Sequence, residues 1–220
     1  MLPLSLDRSK SNMMTCCSTI ICKGCAYANQ KRDVEASLKN RCLFCRKPTA
    51  KTDEERDKYR RKRIEANDPV AMCQEGIRQH KKGDNRSAFE YFTKAAELGD
   101  VEAHHTLSIT YHNGHGVEND SGRQIHHLEL AAIGGHPGAR HNLGCEEWNN
   151  DNNERAVKHW IIAANQGDDL SIEMLMRIFK ERYVNKGFVS KDDLAATLRA
   201  HKAAVDETKS PQREAAEESY

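Results

Sequence analysis

Residues 94–103 of this chain read KAAELGDVEA, and the stretch recurs in altered form as LAAIGGHPGA at 130–139 and as IAANQGD at 162–168. In each copy an Ala-Ala pair is suited to the end of one helix, and a glycine is suited to its C-terminal cap. An Asp, or a His followed by Pro, then begins the next helix. The three copies therefore predict an all-α fold built from helical hairpins.

The copies also share a spacing of large and small side chains. Ala71, Ala103 and Ala139 occupy equivalent places in successive copies and lie 32 and 36 residues apart. Self-similarity at this period is typical of a solenoid, in which each helical hairpin stacks on its neighbours. Large apolar residues stand three positions before each Ala-Ala pair, and these are Phe92, Leu128 and Trp160. We assign this stripe to the core, because large residues fill the space that small ones leave between crossing helices.

The second copy carries a longer loop with two glycines. From residue 103 to residue 132 it follows the pattern A-x3-L-x3-Y-x2-G-x-G-V and closes with L-x2-A-A. This pattern resembles a Sel-1-like repeat, a relative of the tetratricopeptide repeat with G-x-G-V in its loop. The resemblance implies three Sel-1-like repeats over 67–170, a non-enzymatic array whose concave face binds a protein partner. Residues 171–206 are predicted to form capping helices, and 207–220 a disordered tail.

Charge and cysteine content divide the chain near residue 66. Residues 1–65 contain 16 Lys and Arg against 8 Asp and Glu, a net charge of +8, and the remaining 18 against 25 give the rest −7. No apolar run approaches the ~20 residues that span a bilayer, and the N-terminus lacks the apolar core of a secretory signal. We therefore expect two modules in a cytoplasmic or nuclear protein that is not secreted and has no membrane partner.

The cysteine-rich module, residues 1–48, has the spacing of a metal site. The pairs Cys22-x2-Cys25 and Cys42-x2-Cys45 are separated by 16 residues. Each pair offers two thiolates to one tetrahedral Zn2+ ion at ~2.3 Å, and zinc supplies folding energy that so short a segment lacks. In a reducing compartment such clustered thiols bind zinc more often than they form disulfides. The module is therefore predicted to be stabilised by zinc.

The upstream pair Cys16-Cys17 leaves two ligand sets open. With it, the cysteine order resembles the later part of an all-cysteine RING finger, in which alternate pairs share an ion. The resemblance implies that Cys16 and Cys17 join the Cys42/Cys45 pair, while the Cys22/Cys25 pair holds half of a second site. The family's opening C-x-x-C pair would precede Cys16, where this sequence has no cysteine. A four-thiolate site of the Cys22/Cys25 and Cys42/Cys45 pairs is the alternative.

RING fingers are usually ubiquitin-protein ligases that dock a ubiquitin-conjugating enzyme on a shallow apolar groove. The resemblance places Leu43 and Phe44 on the second zinc loop, and Arg46 where the family contacts the conjugated ubiquitin. The main apolar contact for the conjugating enzyme belongs to the pair that the sequence lacks. Two functions follow: an adaptor whose finger engages ubiquitin machinery, and a non-enzymatic scaffold whose finger is purely structural.

Residues 49–66 are predicted to form a basic linker helix that begins at a capping box of Thr52 and Glu55. Its RRKR run at 60–63 suits nuclear import or phosphate binding, but we favour a solvated basic helix face balanced by neighbouring acids. Nucleic acid is the weaker hypothesis, since Tyr59 is the one aromatic residue interleaved with these charges.

Histidines are concentrated in the second copy, which holds six of the eleven. Their spacing does not match a preformed zinc pair, so we interpret them as exposed polar positions. The sequence shows no nucleophile elbow, no phosphate-binding glycine loop and no H-E-x-x-H motif. No catalytic residue is therefore assigned.

Overall fold

Regular elements begin and end at the capping residues of the repeats. The computed structural model describes residues 11–36, 40–181 and 187–218, which contain two strands and eleven helices. The strands are β1 (Ser11–Met14) and β2 (Thr19–Cys22). The helices are α1 (Lys23–Glu35), α2 (Asp53–Glu65), α3 (Pro69–Lys81), α4 (Asn85–Glu97), α5 (Val101–Asn113), α6 (Ser121–Ile133), α7 (Pro137–Asn149), α8 (Asn153–Asn165), α9 (Asp169–Lys180), α10 (Lys191–Asp206) and α11 (Pro211–Glu218).

These elements belong to two units. The described residues within 11–75 and 207–218 form the first unit, and those within 76–206 form the second, which we call the repeat unit. In the repeat unit, consecutive helices from α4 to α9 pack as antiparallel neighbours joined by short turns, which is the predicted helical-hairpin solenoid. In the described residues, no helix is long and apolar enough to cross a membrane.

The recurrent motif caps the helices as the sequence predicted. At the start of α5, α7 and α9, the N-cap side chain accepts a hydrogen bond from the backbone N–H three residues further on: Asp100 at 2.7 Å, His136 at 3.1 Å and Asp168 at 2.8 Å. The glycine before each cap has a left-handed φ: +84° at Gly99, +85° at Gly135 and +89° at Gly167. This conformation costs glycine little and other residues more.

The large and small residues of the repeats interlock. Trp160 of α8 is fully buried, and its indole N–H donates a hydrogen bond to the backbone carbonyl of His141 at 3.1 Å. A Cβ added at Gly144 of α7 would lie 2.5 Å from the indole Nε1. Gly76 stands in the same relation to Phe92, again at 2.5 Å. The predicted stripe is therefore the core, and glycine is needed where the ring meets the neighbouring helix.

Replacing Gly116 with alanine is expected to lower the free energy of unfolding of the repeat unit by about 1–3 kcal/mol. Gly116 has a φ of +79°, and an added Cβ would lie 2.4 Å from the backbone carbonyl oxygen of Asn85. Gly83→Ala is the matched control, because its φ is +85° but nothing lies within 4 Å of the added Cβ. Chemical denaturation measures both, and equal losses would contradict a steric role for the loop glycine.

The first unit contains two features that the sequence did not predict. Strands β1 and β2 form an antiparallel hairpin in which Ser11 pairs with Cys22 and Met14 with Thr19. Residues 207–220 were predicted to be disordered, but helix α11 forms there and contacts α1. The physical reason is that Ser210 caps the helix, accepting from the Arg213 N–H at 3.2 Å, and Pro211 follows at the first helical position.

Candidate metal centre and repeat surface

Two tight turns present four of the candidate thiols. Cys16 and Cys17 lie in the turn of the β1–β2 hairpin, where the Cys17 N–H donates to the Met14 carbonyl at 3.1 Å. Cys42 and Cys45 lie in a second turn, in which the Cys42 N–H donates to the Lys47 carbonyl at 2.9 Å. Both turns contain a non-glycine residue with a left-handed φ, Ser18 and Arg46.

The four sulphur atoms of Cys16, Cys17, Cys42 and Cys45 all lie within 4.8 Å of one another. Cys17 Sγ is 3.6 Å from Cys42 Sγ, and Cys45 Sγ is 3.3 Å from Cys16 Sγ. Zinc–sulphur bonds of ~2.3 Å in a tetrahedron place neighbouring sulphurs roughly 3.8 Å apart. These residues therefore fit a four-thiolate Zn2+ site with small adjustments, and all four are free of disulfides.

The thiols of this cluster ionise unequally. Burial raises the pKa of Cys16 and of Cys42. Burial opposes ionisation of Cys17 as well, but hydrogen bonds from Thr19 and from the neighbouring thiols outweigh it and lower the pKa of Cys17 to about 7. One thiolate therefore forms readily, whereas a second negative charge in the cluster is unfavourable without a cation. A bound divalent ion compensates for that charge.

Cys22 and Cys25 lie elsewhere in the first unit. Cys22 is the N-cap of α1, and its Sγ accepts a hydrogen bond from the Cys25 backbone N–H at 3.3 Å. Burial raises the pKa of Cys22, but that N–H and the Arg213 guanidinium outweigh burial and lower it. The Cys25 pKa is raised by its hydrogen bond to Cys22 and then by burial. Among the described residues, the four thiols that lie together are Cys16, Cys17, Cys42 and Cys45. This structure therefore does not assemble the alternative ligand set, in which the Cys22/Cys25 pair joins the Cys42/Cys45 pair.

The residues assigned to partner contact flank this cluster. Phe44 is 44% exposed, and its backbone N–H donates to Cys42 Sγ at 3.4 Å. Leu43 is half-buried and lines a cavity of about 350 Å³ together with residues of β1, α1 and α2. Arg46 is exposed. An apolar ring and a cation are thus presented beside the candidate metal site.

The basic helix α2 begins at the predicted capping box, where the Glu55 N–H donates to Thr52 Oγ1 at 3.2 Å. Two of its four clustered cations are paired within the first unit. Arg60 Nε lies 2.9 Å from Glu75 Oε2, and Arg63 forms an ion pair with Asp68. This part of the basic run therefore helps to hold α2 against α3.

The surface between α5, α6 and α7 contains a cavity of about 240 Å³, which we call the repeat groove. Its apolar lining includes Leu128 and Ile109, which is 41% exposed. Gln124 is buried and bridges the two sides of the groove: its Nε2 donates to Glu146 Oε1 at 2.7 Å, and its Oε1 lies 3.2 Å from His112 Nδ1. Gln124 and Glu146 were not predicted from the sequence to be site residues. The one signal was a glutamine where the other copies have Ala88 and Ala156.

The histidines of the second repeat differ from the prediction of uniformly exposed positions. His104 and His127 are half-buried, with their Nδ1 atoms 3.0 Å apart, and His127 stacks on Tyr111. A second group places Glu102, His105 and His136 within 4.8 Å of one another. Because His136 Nδ1 accepts the helix-capping N–H, Nε2 carries the ring proton and donates it to Glu102 at 3.3 Å. That tautomer joins α5 to the start of α7 and leaves no lone pair on Nε2 for a metal.

Acidification is expected to destabilise the repeat unit between about pH 6.5 and pH 4. Burial, and then the neighbouring His104, His126 and Arg123, lower the pKa of His127 from 6.5 to about 4. Between these pH values His127 binds a proton in the unfolded chain but not in the folded chain, so the free energy of unfolding falls as the pH falls. His127→Gln should remove about 1–3 kcal/mol of this pH dependence, measured by denaturation at several pH values. The exposed loop variant His115→Gln is the control, and an identical pH profile in H127Q and the parent would contradict this.

Comparison with known proteins identifies the repeats. The family model of the Sel1 repeat matches residues 71–100, 101–136 and 140–168, so the predicted Sel-1-like repeats are confirmed. The crystal structure of a Sel1 repeat protein from Oxalobacter formigenes shares 26% identity and a TM-score of 0.58, covering 70% of this chain and 66% of that one. No curated protein sequence is significantly similar.

A second solved structure supports the fold alone. It is a protective antigen present in uropathogenic Escherichia coli strains that displays an SLR fold. It shares 20% identity and a TM-score of 0.51 over 73% of this chain and 34% of the antigen. This chain thus spans less than two thirds of either protein's length. The RING-type finger stays a prediction.

Proposed function

We propose that this chain, with its three Sel1 repeats, is a zinc-binding adaptor that holds a protein partner on the repeat surface. The observation that carries the zinc part is the convergence of four free thiols from two separate turns within 4.8 Å. Sel1 repeats are protein-interaction modules, and solenoids of this kind present extended binding surfaces. The repeat groove supplies such a surface, with apolar lining next to hydrogen-bonding groups.

Matched surface variants test the adaptor role. Ile109→Arg places a charge in the groove, whereas Ile133→Arg changes a residue that is 80% exposed at the end of α6. Affinity purification of the full chain from its native cells should recover a partner with the parent and with Ile133→Arg, and lose that partner with Ile109→Arg. Equal recovery with both variants would contradict binding in the groove.

A ubiquitin-ligase-like role for the finger is the second candidate, and a purely structural finger is its alternative. The exposed Phe44 and Arg46 beside the four-thiol cluster favour the first of these. In this proposal Phe44 contacts a ubiquitin-conjugating enzyme and Arg46 the conjugated ubiquitin, with Leu43 supporting the loop from inside.

Discharge of ubiquitin from a panel of charged conjugating enzymes tests the second candidate. Phe44→Ala and Arg46→Ala should each reduce discharge at least tenfold while the zinc content stays unchanged. The control is Ile20→Ala, since Ile20 is exposed to a similar extent on β2. If the parent protein at full zinc occupancy discharges no ubiquitin, the ligase-like role is contradicted and the purely structural finger is supported.

A further inference from the structure

The Cys22/Cys25 pair is a dithiol at the start of a helix that directly follows a strand. Strand β2 ends at Cys22, and α1 begins at Lys23. Cys22 is buried, Cys25 is exposed, and both thiols are free. The Cys25 backbone N–H donates to Cys22 Sγ at 3.3 Å. The first turn of α1 therefore holds the two sulphurs side by side.

Cys22 and Cys25 do not belong to the four-thiol cluster and are therefore available for other chemistry. Among the described residues, the grouped metal-ligand candidates of the first unit are Cys16, Cys17, Cys42 and Cys45. The sequence of 1–75 and 207–220 contains no histidine, and its remaining cysteine, Cys73, is buried in α3. Two thiols offer half of the ligands that a structural zinc ion takes. Two adjacent thiols are, however, sufficient for a disulfide.

We propose that Cys22 and Cys25 form a thiol–disulfide exchange site whose substrates are small disulfides such as glutathione disulfide. Two observations carry the assignment: the hydrogen bond from the Cys25 backbone N–H to Cys22 Sγ in the first turn of α1, and the exposure of Cys25 to solvent. A C-x-x-C pair at a helix start is a geometry in which thiols exchange with disulfides.

The exchange takes two balanced steps. The Cys25 thiolate attacks one sulphur of glutathione disulfide, which breaks the glutathione S–S bond, forms a Cys25–glutathione mixed disulfide and releases one glutathione thiolate. Cys22 then attacks Cys25 Sγ, which forms the Cys22–Cys25 disulfide and releases the second glutathione. The two protein thiols are oxidised, two glutathione molecules are produced, and the protons of the two thiols end on them. Cys25 is thus the entry thiol because it is the exposed one, although its raised pKa makes the attacking thiolate the minor form. Cys22 is the resolving thiol.

Arg213 of α11 completes the environment of the resolving thiol. The Arg213 guanidinium lies close enough to the Cys22 thiol to lower its pKa, and α11 contacts α1, at whose start the pair lies. Oxidation replaces the Cys22 thiol by a neutral disulfide and removes this charge-assisted contact. The site therefore links the oxidation state of the pair to helix α11, which lies in the segment predicted from the sequence to be a disordered tail.

The test uses the full, zinc-loaded chain in glutathione redox buffers, followed by alkylation and non-reducing tryptic mass spectrometry. Cleavage after Lys10, Lys23 and Lys31 separates the two cysteines, so the disulfide appears as peptide 11–23 linked to peptide 24–31. Tandem mass spectrometry of the linked peptides, through fragments cleaved between Cys17 and Cys22, assigns the bond and leaves the zinc ligands intact. We expect the linked pair in the parent, a mixed disulfide trapped on Cys25 in Cys22→Ser, and no glutathione adduct on Cys22 in Cys25→Ser.

Three outcomes would overturn this inference. One is the absence of the linked pair in oxidising glutathione, and another is equal glutathione labelling of Cys22 in Cys25→Ser and of Cys25 in Cys22→Ser. The third is a second zinc ion in native mass spectra that Cys22→Ser releases, which would make the pair a metal half-site. A chain without zinc that still forms the linked pair would contradict the zinc proposal while supporting the exchange site.

Discussion

Chelation of zinc is expected to unfold the cysteine-rich part of the first unit while the repeat unit stays folded. Structural zinc contributes an apparent binding free energy of about 10–16 kcal/mol at pH 7, and this exceeds what two four-residue strands and one helix can supply without it. Few apolar side chains are buried there; Ile21 is one of them. Without a cation, a second thiolate in the cluster would place two negative charges close together.

Hydrogen exchange measures this directly. After treatment with a strong chelator, amides of β1, β2 and α1 should lose protection by several orders of magnitude, whereas those of α5 to α8 should keep it. Cys42→Ser should reproduce the effect of the chelator. Cys145→Ser, in the repeat unit, is the matched control and should leave the first unit protected. Unchanged protection of β1 and β2 without zinc would contradict a structural metal.

Trp160→Ala is expected to lower the free energy of unfolding of the repeat unit by about 3–5 kcal/mol. The indole is fully buried and fills the space left by Gly144, and its N–H donates to the His141 carbonyl. Truncation therefore leaves a cavity between α7 and α8 and removes the additional hydrogen bond that the indole donates to a helical carbonyl. Because solenoid repeats stabilise their neighbours, the loss should spread to α9 through Leu175.

Ile133→Ala provides the comparison for this prediction, since Ile133 is 80% exposed and its truncation should cost less than about 0.5 kcal/mol. Trp160→Phe should fall between the two, because it keeps a ring but not the indole hydrogen bond. Denaturant unfolding followed by circular dichroism measures all three. A loss of less than about 1 kcal/mol for W160A would contradict the assignment of this residue to the core.

Local chemistry explains which parts of the fold were predictable. Asp100 and Asp168 cap helices because a carboxylate satisfies the first free N–H groups wherever the chain places it, so the sequence alone located both. The large apolar residue before each Ala-Ala pair was equally visible, since the repeat shows the same position three times. The three copies within one sequence thus show which positions recur, which otherwise requires a comparison of many sequences.

Features that depend on a single copy or on distant residues were less predictable. Gln124 stands where the other copies have alanine, and its bridge to His112 and Glu146 depends on helices that the repeat pattern does not specify. Helix α11 was mistaken for a disordered tail because its short, charged sequence lacks an apolar stripe, and its contact with α1 is distant in sequence. The cysteine spacing is compatible with two ligand sets. The β1–β2 hairpin distinguishes them, because its turn places Cys16 and Cys17 beside Cys42 and Cys45.

Zinc K-edge X-ray absorption on the Cys22→Ser/Cys25→Ser variant, with the zinc content counted in the same sample, tests the four-thiol metal site directly. We expect one zinc ion per chain with four sulphur ligands at about 2.3 Å, because Cys16, Cys17, Cys42 and Cys45 remain intact. Loss of zinc from this variant, or fewer than four sulphur ligands, would contradict it and favour a site built on the Cys22/Cys25 pair.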